Sequence, residues 1–479
     1  MSPKILVIRL SSLGDVVLTG PVYKSLKAHW PDCRVTVLVK PQFAAALKGH
    51  PGVDEVVAFT GVSDALRLIK DRGFTHLLDL HGNLRSFLIR TLARVPNTAA
   101  YRKDALARRL FVALRISSAG LQRHTVDRYH DALAAWGVPR VEGAPGFKKI
   151  LVMQTAFLGD SLLTIPLLRR LKDILPGASV TVLTLAKTAD IFRGDCDEVL
   201  LDEKRGVHGG LTGPWRIAAE LKARDFDLAI IPHRSFRSAL IAKLAGIPRR
   251  VGFDSSAGSF LLTDTVPFSW LMHDLERNLS LTLPLGALAT KGQSRYVAPP
   301  AIGGTLSALL PSGPLVGVHP GSAWATKRWL PERFAELCVR LKADGFTPVL
   351  VGGPDDKALG ARIAKDCGAL DLVGKTDLEE LKALMGRLSA FVTNDSGPMH
   401  LAAAAGVPVV AIFGATTREL GFFPYGPGHR VIETDLACRP CGLHGARECP
   451  EGHFLCMRLL TVDQVHAACR DVLKAGVPA

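Results

Sequence analysis

The chain has 479 residues, 48% hydrophobic and 22% charged, enough for about three domains of ordinary soluble composition. Aromatic residues make up only 6%, which argues against a stacking platform for single-stranded nucleic acid; the longest apolar run, 401–414, is broken by Gly406 and Pro408 and is too short to span a bilayer. The net charge of +15 is uneven: residues 1–146 hold 21 Lys and Arg against 11 Asp and Glu, an excess that attracts acidic partners, whether nucleic acid, a phosphorylated glycolipid or an anionic membrane, or serves only solubility.

The N-terminus runs straight into a strand pattern without the ordered regions of a signal peptide, so the nine cysteines are expected as free thiols in a reducing cytoplasm. The opening then recurs. Lys4-Ile-Leu-Val-Ile-Arg-Leu-Ser-Ser-Leu-Gly-Asp15 returns as Lys149-Ile-Leu-Val-Met-Gln-Thr-Ala-Phe-Leu-Gly-Asp160. Further along, His81-Gly-Asn-Leu-Arg-Ser86 faces His233-Arg-Ser-Phe-Arg-Ser238, and His124-Thr-Val-Asp-Arg128 faces His273-Asp-Leu-Glu-Arg277. An ordered self-match of this length indicates a duplicated domain.

Short Val/Ile/Leu-rich runs alternate with helical patterns. They fall at 5–10, 35–39, 76–80, 150–153, 180–183, 228–232, 315–318, 347–351, 390–393 and 409–413. Buried parallel strands joined by crossover helices read this way, so the fold class is α/β with doubly wound domains. Pro/Gly-rich linkers at 143–146 and 298–304 divide the chain into 1–146, 147–300 and an unrelated Rossmann-like domain at 301–479. Within the first, 103–115 has a basic and an apolar side. It reads as a membrane-surface helix or as an ordinary amphipathic helix with its apolar face in the core.

In both copies Gly-Asp follows the first strand and opens a helix, so Asp15 and Asp160 stand at the carboxyl edge of a sheet. Each is a candidate general base or a helix cap. In the last domain, Ser322 and Lys327 lie between a strand and a helix predicted over 331–343, where a lysine neutralises a diphosphate or is simply solvated. Strand 347–351 ends at Asp355 and Asp356, which suit ribose hydroxyls or a helix N-cap. Strand 390–393 runs into Asn394-Asp-Ser-Gly-Pro-Met-His400. Gly397 there permits close backbone approach, and the helix start favours phosphate. Near the end, Cys438, Cys441, Cys449 and Cys456 suit a structural zinc site, or are reduced thiols in a surface loop.

Leu-Gly-Asp with a following proline, His-Pro-Gly-Ser with Lys-Arg-Trp, Gly374-Lys-Thr376 and Asn-Asp-Ser-Gly-Pro-Met-His-Leu-Ala-Ala-Ala together resemble the ADP-heptose:lipopolysaccharide heptosyltransferases of glycosyltransferase family nine. Residues 147–479 resemble one complete enzyme, and residues 1–146 only its N-terminal half. The resemblance implies a GT-B fold, with an acceptor domain and a donor domain facing across a cleft. It implies ADP-heptose as donor and inverting transfer to a phosphorylated, lipid-linked inner-core acceptor at the cytoplasmic membrane face. Ser322 and Lys327 would bind the diphosphate. Asp395, Ser396, Gly397 and His400 would hold the diphosphate and heptose end, with Thr376, Asp355 and Asp356 near the nucleoside. Arg237 and its counterpart Arg85 would meet the acceptor. Asp160 would be the base, with Asp15 as the alternative, because only the second copy adjoins the donor domain. No metal-binding Asp-x-Asp stands out, so no cofactor is required by this reading. Two other readings stay open: another nucleotide-sugar transferase, and a non-catalytic descendant that binds glycolipid.

Overall fold

The computed structural model describes residues 2–12, 15–16, 18–47, 50, 52–101, 125–139, 147–287 and 290–475; the amphipathic segment 103–115 and the linker at 143–146 lie outside them. The alternating pattern is realised as three sheets in which every strand pairing is parallel.

The first sheet holds β1 (Lys4–Ile8), β2 (Arg34–Val39), β3 (Glu55–Ala58), β4 (His76–Asp79) and β5 (Asn97–Ala100), in the order β3-β2-β1-β4-β5. The second holds β6 (Lys149–Met153), β7 (Ser179–Thr184), β8 (Glu198–Leu201), β9 (Leu228–Ile231), β10 (Arg249–Phe253) and β11 (Asp264–Val266), in the order β8-β7-β6-β9-β10-β11. The third repeats that order with β12 (Leu315–His319), β13 (Thr347–Leu350), β14 (Leu370–Asp371), β15 (Leu388–Asn394), β16 (Val409–Phe413) and β17 (Arg430–Glu433). The opening strand of each sheet is central, and Ile5–Ile8 and Ile150–Met153 are fully buried because helices cover both faces. The winding reverses beside that strand, which opens a crevice at its carboxyl end. Both Gly-Asp motifs follow such strands. All ten expected strands are present.

The second and third domains share one apolar core, from Ile150, Leu168 and Leu279 to Phe391, Met399 and Leu401. At its edge the helix Leu158–Leu162 crosses the helix Gly397–Ala404. Two glycines set the distance: a Cβ on Gly159 would stand 2.8 Å from His400 Cδ2, and one on Gly397 2.8 Å from Leu158 Cδ2. The backbones meet there because neither position carries a side chain. Gly159→Ala should therefore destabilise the protein by about 1–3 kcal/mol. Thermal unfolding checks this, and parental stability would show that the crossing has slack.

The first domain has its own core but borrows Leu283 from the second, whose segment Leu283–Leu285 packs on the helix Gly20–His29. At the other end, the helix Val462–Ala475 packs on Pro331–Ala343, and Trp329 Nε1 donates to the Leu460 carbonyl at 3.0 Å.

Candidate active site

A cavity of about 540 Å³ opens between the second and third domains at the carboxyl ends of β6 and β12. Asp160, Ser322, Lys327, Asp356, Thr376, Asp395, Ser396, Gly397 and His400 all line it. Nine expected site residues, from segments as much as 240 positions apart, thus converge on one space.

Asp160 enters from the second domain. Its carboxylate accepts a hydrogen bond from Phe157 N at 3.2 Å, so it does cap its short helix. Burial, and then the nearby Asp274 carboxylate, push its pKa up to about 7 against the opposing pull of Phe157 N–H and Lys327. The group is therefore poised to take a proton near neutral pH.

Asp15 has a different environment. It is bound by Arg9, by Ser12 Oγ at 3.0 Å and by Tyr129 OH at 3.3 Å. Burial alone would raise its pKa, but Arg9 and the Ser12 hydrogen bonds outweigh it and the net shift is downward. It does not line the cavity. The repeat places Gln154 where the first copy has Arg9. Gln154 Nε2 donates to Thr164 Oγ1 at 2.9 Å, and among the described residues no arginine pairs with Asp160.

The opposite wall comes from the third domain. Lys327 Nζ lies 2.6 Å from Asp395 Oδ2, which also accepts from Thr416 Oγ1 at 2.6 Å. Asp395 therefore aims the ammonium, and its carboxylate is not itself free to meet a phosphate. Ser322 is buried, and its carbonyl accepts from Arg328 Nε at 2.8 Å. His319 Nδ1 stands 3.1 Å from Ser396 Oγ, and burial lowers its pKa to about 4. His400 is likewise pushed down to about 4 by burial and stays neutral; its Nδ1 has no partner among the described residues. The helix Gly397–Ala404 starts at the same space; Pro398 has no N–H and Met399 N donates to the Ser396 carbonyl at 3.2 Å, so the Gly397 N–H and the helix dipole are what this start offers an anion.

The acidic pair divides. Asp356 enters the cavity, admitted by Gly321, where a Cβ would stand 2.3 Å from its Oδ2. Asp355 is exposed and outside, because the turn Pro354–Asp356 points consecutive side chains apart. Neither expected acceptor arginine lines the cavity. Arg237 lies within the helix Phe236–Leu244 and braces the loop that follows β8, donating to Asp202 Oδ1 and the His208 carbonyl, both at 2.9 Å. Arg85 is exposed on the first domain. The triplets Asp195-Cys-Asp197 and Asp225-Phe-Asp227 exist but are used elsewhere: Asp195 pairs with Arg169 at 2.6 Å, Asp197 accepts from Val180 N at 2.7 Å, and Asp227 from Lys148 N at 2.7 Å.

The cysteine-rich loop supplies Leu443 and His444 to the cavity and is held by Thr326 Oγ1, which accepts from Ala446 N at 2.8 Å. Its four cysteines are free thiols. Among the described residues no three His, Cys, Asp or Glu side chains are grouped as a metal ion requires. Instead Cys441 Sγ points to the Cys438 carbonyl at 3.3 Å, and Cys456 is buried in the domain core.

Several wall residues carry no sequence motif. Lys187 lies over the Phe157 ring, 5.6 Å from its centroid, on the second-domain side. A clasp also spans the domains. Asp274 N donates to the Gly421 carbonyl at 2.8 Å, Arg277 to the Leu420 carbonyl at 2.8 Å, His273 Nε2 to the Phe423 carbonyl at 2.7 Å, and Tyr425 OH to Glu276 at 2.9 Å. The repeated His-Asp-Leu-Glu-Arg segment is thus what ties the cleft together beside Asp160.

The sequence profile of glycosyltransferase family 9 (heptosyltransferase) matches residues 214–452, a span that carries the whole third-domain wall. Lipopolysaccharide heptosyltransferase 2 of Salmonella typhimurium is 30% identical over 293 residues, covering 57% of this chain and 84% of that protein. The chain belongs to glycosyltransferase family 9. The fold agrees. A family 9 glycosyltransferase from Veillonella parvula superposes with a TM-score of 0.61 at 24% identity, over 70% of this chain and all of that one. The E. coli ADP-heptose lps heptosyltransferase II superposes with a TM-score of 0.55 at 24% identity, over 68% and 99%. This family 9 glycosyltransferase therefore has Rossmann-like domains facing across a cleft, with a further Rossmann-like domain at its N-terminus.

Proposed function

We propose that this protein transfers heptose from ADP-heptose to a hydroxyl of a phosphorylated, lipid-linked inner-core acceptor, with inversion at the sugar carbon, at the cytoplasmic face of the membrane. The observation that carries the reading is the glycine-to-glycine crossing. It sets Asp160, with its raised pKa, opposite Lys327 and the start of the Gly397–Ala404 helix in one cavity. The Salmonella relative's name, a lipopolysaccharide heptosyltransferase, supports the donor and acceptor class.

The chemistry follows from the residues. Asp160 takes the proton of the acceptor hydroxyl as its oxygen attacks the anomeric carbon. The bond from that carbon to the diphosphate breaks on the opposite side, which inverts the configuration. Charge gathering on the departing ADP is met by Lys327, held in place by Asp395, and by the N-terminus of the Gly397–Ala404 helix. Thr376 and Asp356 line the end of the cavity assigned to the nucleoside. In this reading residues 147–300 form the acceptor side, 301–479 the donor side, and 1–146 a duplicated acceptor-type domain without a working base.

Calorimetric titration with ADP, UDP and GDP tests the donor. ADP should bind tightest, and tighter binding of UDP would reject the heptosyl reading in favour of another nucleotide sugar.

A further inference from the structure

The helix Leu84–Leu92 of the first domain has an unusual outer face. Leu84 is 74% exposed, Phe87 49%, Leu88 39% and Leu92 58%, whereas Ser86 and Ile89 face the domain interior. At 3.6 residues per turn the exposed four and Thr91 form one continuous stripe about 140° wide. Arg85 borders the stripe on one side and Arg90 on the other, and the Arg90 guanidinium lies over the Phe87 ring at 5.6 Å. From Leu80 to Lys103 the chain carries no Asp or Glu at all, while Arg94 adds a further exposed cation at the helix end.

The equivalent helix of the second domain is finished differently. There the counterpart of Phe87 is Ala239, fully buried beneath Gly258, whose Cβ would stand 2.6 Å from the alanine methyl. Phe236, the counterpart of Leu84, meets Phe260 of that covering segment, with ring centroids 6.2 Å apart. A phenylalanine at position 239 would leave no room for such a cover. The first copy thus carries a phenylalanine, Phe87, where the second requires a methyl group under a strap.

We propose that the Leu84–Leu92 face is a lipid-docking surface, which sets this domain on an anionic membrane with its leucines and phenylalanine in the acyl boundary and its arginines at the headgroups. The flanking charge selects the occupant. An apolar stripe bordered on both sides by arginine, in a domain whose excess charge is strongly positive and on a stretch, 80–103, that holds no Asp or Glu, complements anionic lipid. Arginine stems follow the apolar surface while the guanidinium stays at the polar boundary. The inference rests on the lipid-linked acceptor proposed above, which places the substrate in the same membrane and gives the enzyme a reason to be held there.

Full-length protein, without donor or acceptor, is to be sedimented with vesicles of phosphatidylcholine alone and of phosphatidylcholine mixed with phosphatidylglycerol. Binding should require phosphatidylglycerol and weaken with salt. The double variant Leu88→Gln/Leu92→Gln should bind the mixed vesicles about tenfold more weakly or worse, with unchanged melting temperature and unchanged transfer to a short soluble acceptor. Arg85→Glu should also lose vesicle binding. Parental vesicle binding by the double variant overturns the proposal. Equal binding to both vesicle types overturns it as well. So does a melting temperature lowered by several degrees, because the face would then be covered by the chain itself. Because vesicle binding is read without any sugar donor, a failed heptosyl assignment leaves this result standing, and a failed surface leaves soluble transfer intact.

Discussion

Asp160→Asn should abolish transfer, lowering kcat by about a hundredfold to ten-thousandfold, the usual contribution of a positioned base, while ADP affinity stays near the parental value. Asp15→Asn should leave transfer to a soluble acceptor nearly unchanged. The contrast follows from one substitution within the repeat. Arg9 binds the Asp15 carboxylate, whereas Gln154 in the same place bonds Thr164, and among the described residues no arginine pairs with Asp160. The pH profile adds a second readout. With its pKa raised to about 7 by burial and Asp274, Asp160 gains its base form as pH rises through neutrality, so the rate should climb across that range and then level. Stability should run the other way. A carboxyl whose folded pKa lies above the ordinary 3.8 contributes stability that is present at low pH and lost as pH rises through about 7. The asparagine variant cannot ionise, so above pH 7 it should melt higher than the parent. Inactivity with raised stability cannot be ascribed to unfolding. An active Asp160→Asn with an inactive Asp15→Asn would move the chemistry to the first domain.

Lys327→Ala should weaken ADP binding by roughly 10-fold to 150-fold, the equivalent of about 1.5–3 kcal/mol for a charge-assisted contact to diphosphate. The loss should fall at the upper end. Removing the ammonium leaves Asp395, buried and still bonded to Thr416, as a bare carboxylate facing the phosphates. Adding Asp395→Asn to Lys327→Ala should therefore recover part of the affinity, a coupling expected of residues in direct contact. Lys327→Arg should rescue incompletely, because a planar fork does not reproduce the 2.6 Å contact of a compact ammonium with Asp395. Titration calorimetry with ADP reads all three, and parental affinity in the alanine variant would show that the phosphates lie elsewhere.

The central strands were legible because burial on both faces demands unbroken Val, Ile and Leu runs, as in 5–8 and 150–153. The helix Pro331–Ala343 falls on its predicted span because proline marks its start. The strands that escaped were chiefly edges. Glu55–Ala58, Asn97–Ala100 and Arg430–Glu433 are short and half exposed, so their composition resembles loops. β10 escaped for a different reason: it is buried, but opens with Arg249-Arg250, whose charges are answered by Asp264 and by the Ile247 and Leu261 carbonyls.

That Ser322, Lys327 and Asp395 line the cavity was legible because each follows a strand end, where open α/β folds form their crevices. Arg237 misled because its place in the repeat says nothing of which way a helix turns its side chain. The Arg9-for-Gln154 exchange was open to reading from the repeat itself, since Arg9 stands six residues before Asp15 at one strand end, where a cation neutralises the carboxylate. The clasp at His273–Arg277 had no such signal. Its partners are carbonyls of 420–423, and backbone acceptors leave no trace in side-chain identity.

The most direct test of the central claim is turnover of ADP-heptose with a short inner-core acceptor, followed by NMR of the sugar's anomeric centre. The expected result is release of ADP with a glycoside of anomeric configuration opposite to the donor, lost in Asp160→Asn. A product of retained configuration, or turnover with a UDP sugar and none with ADP-heptose, would contradict it.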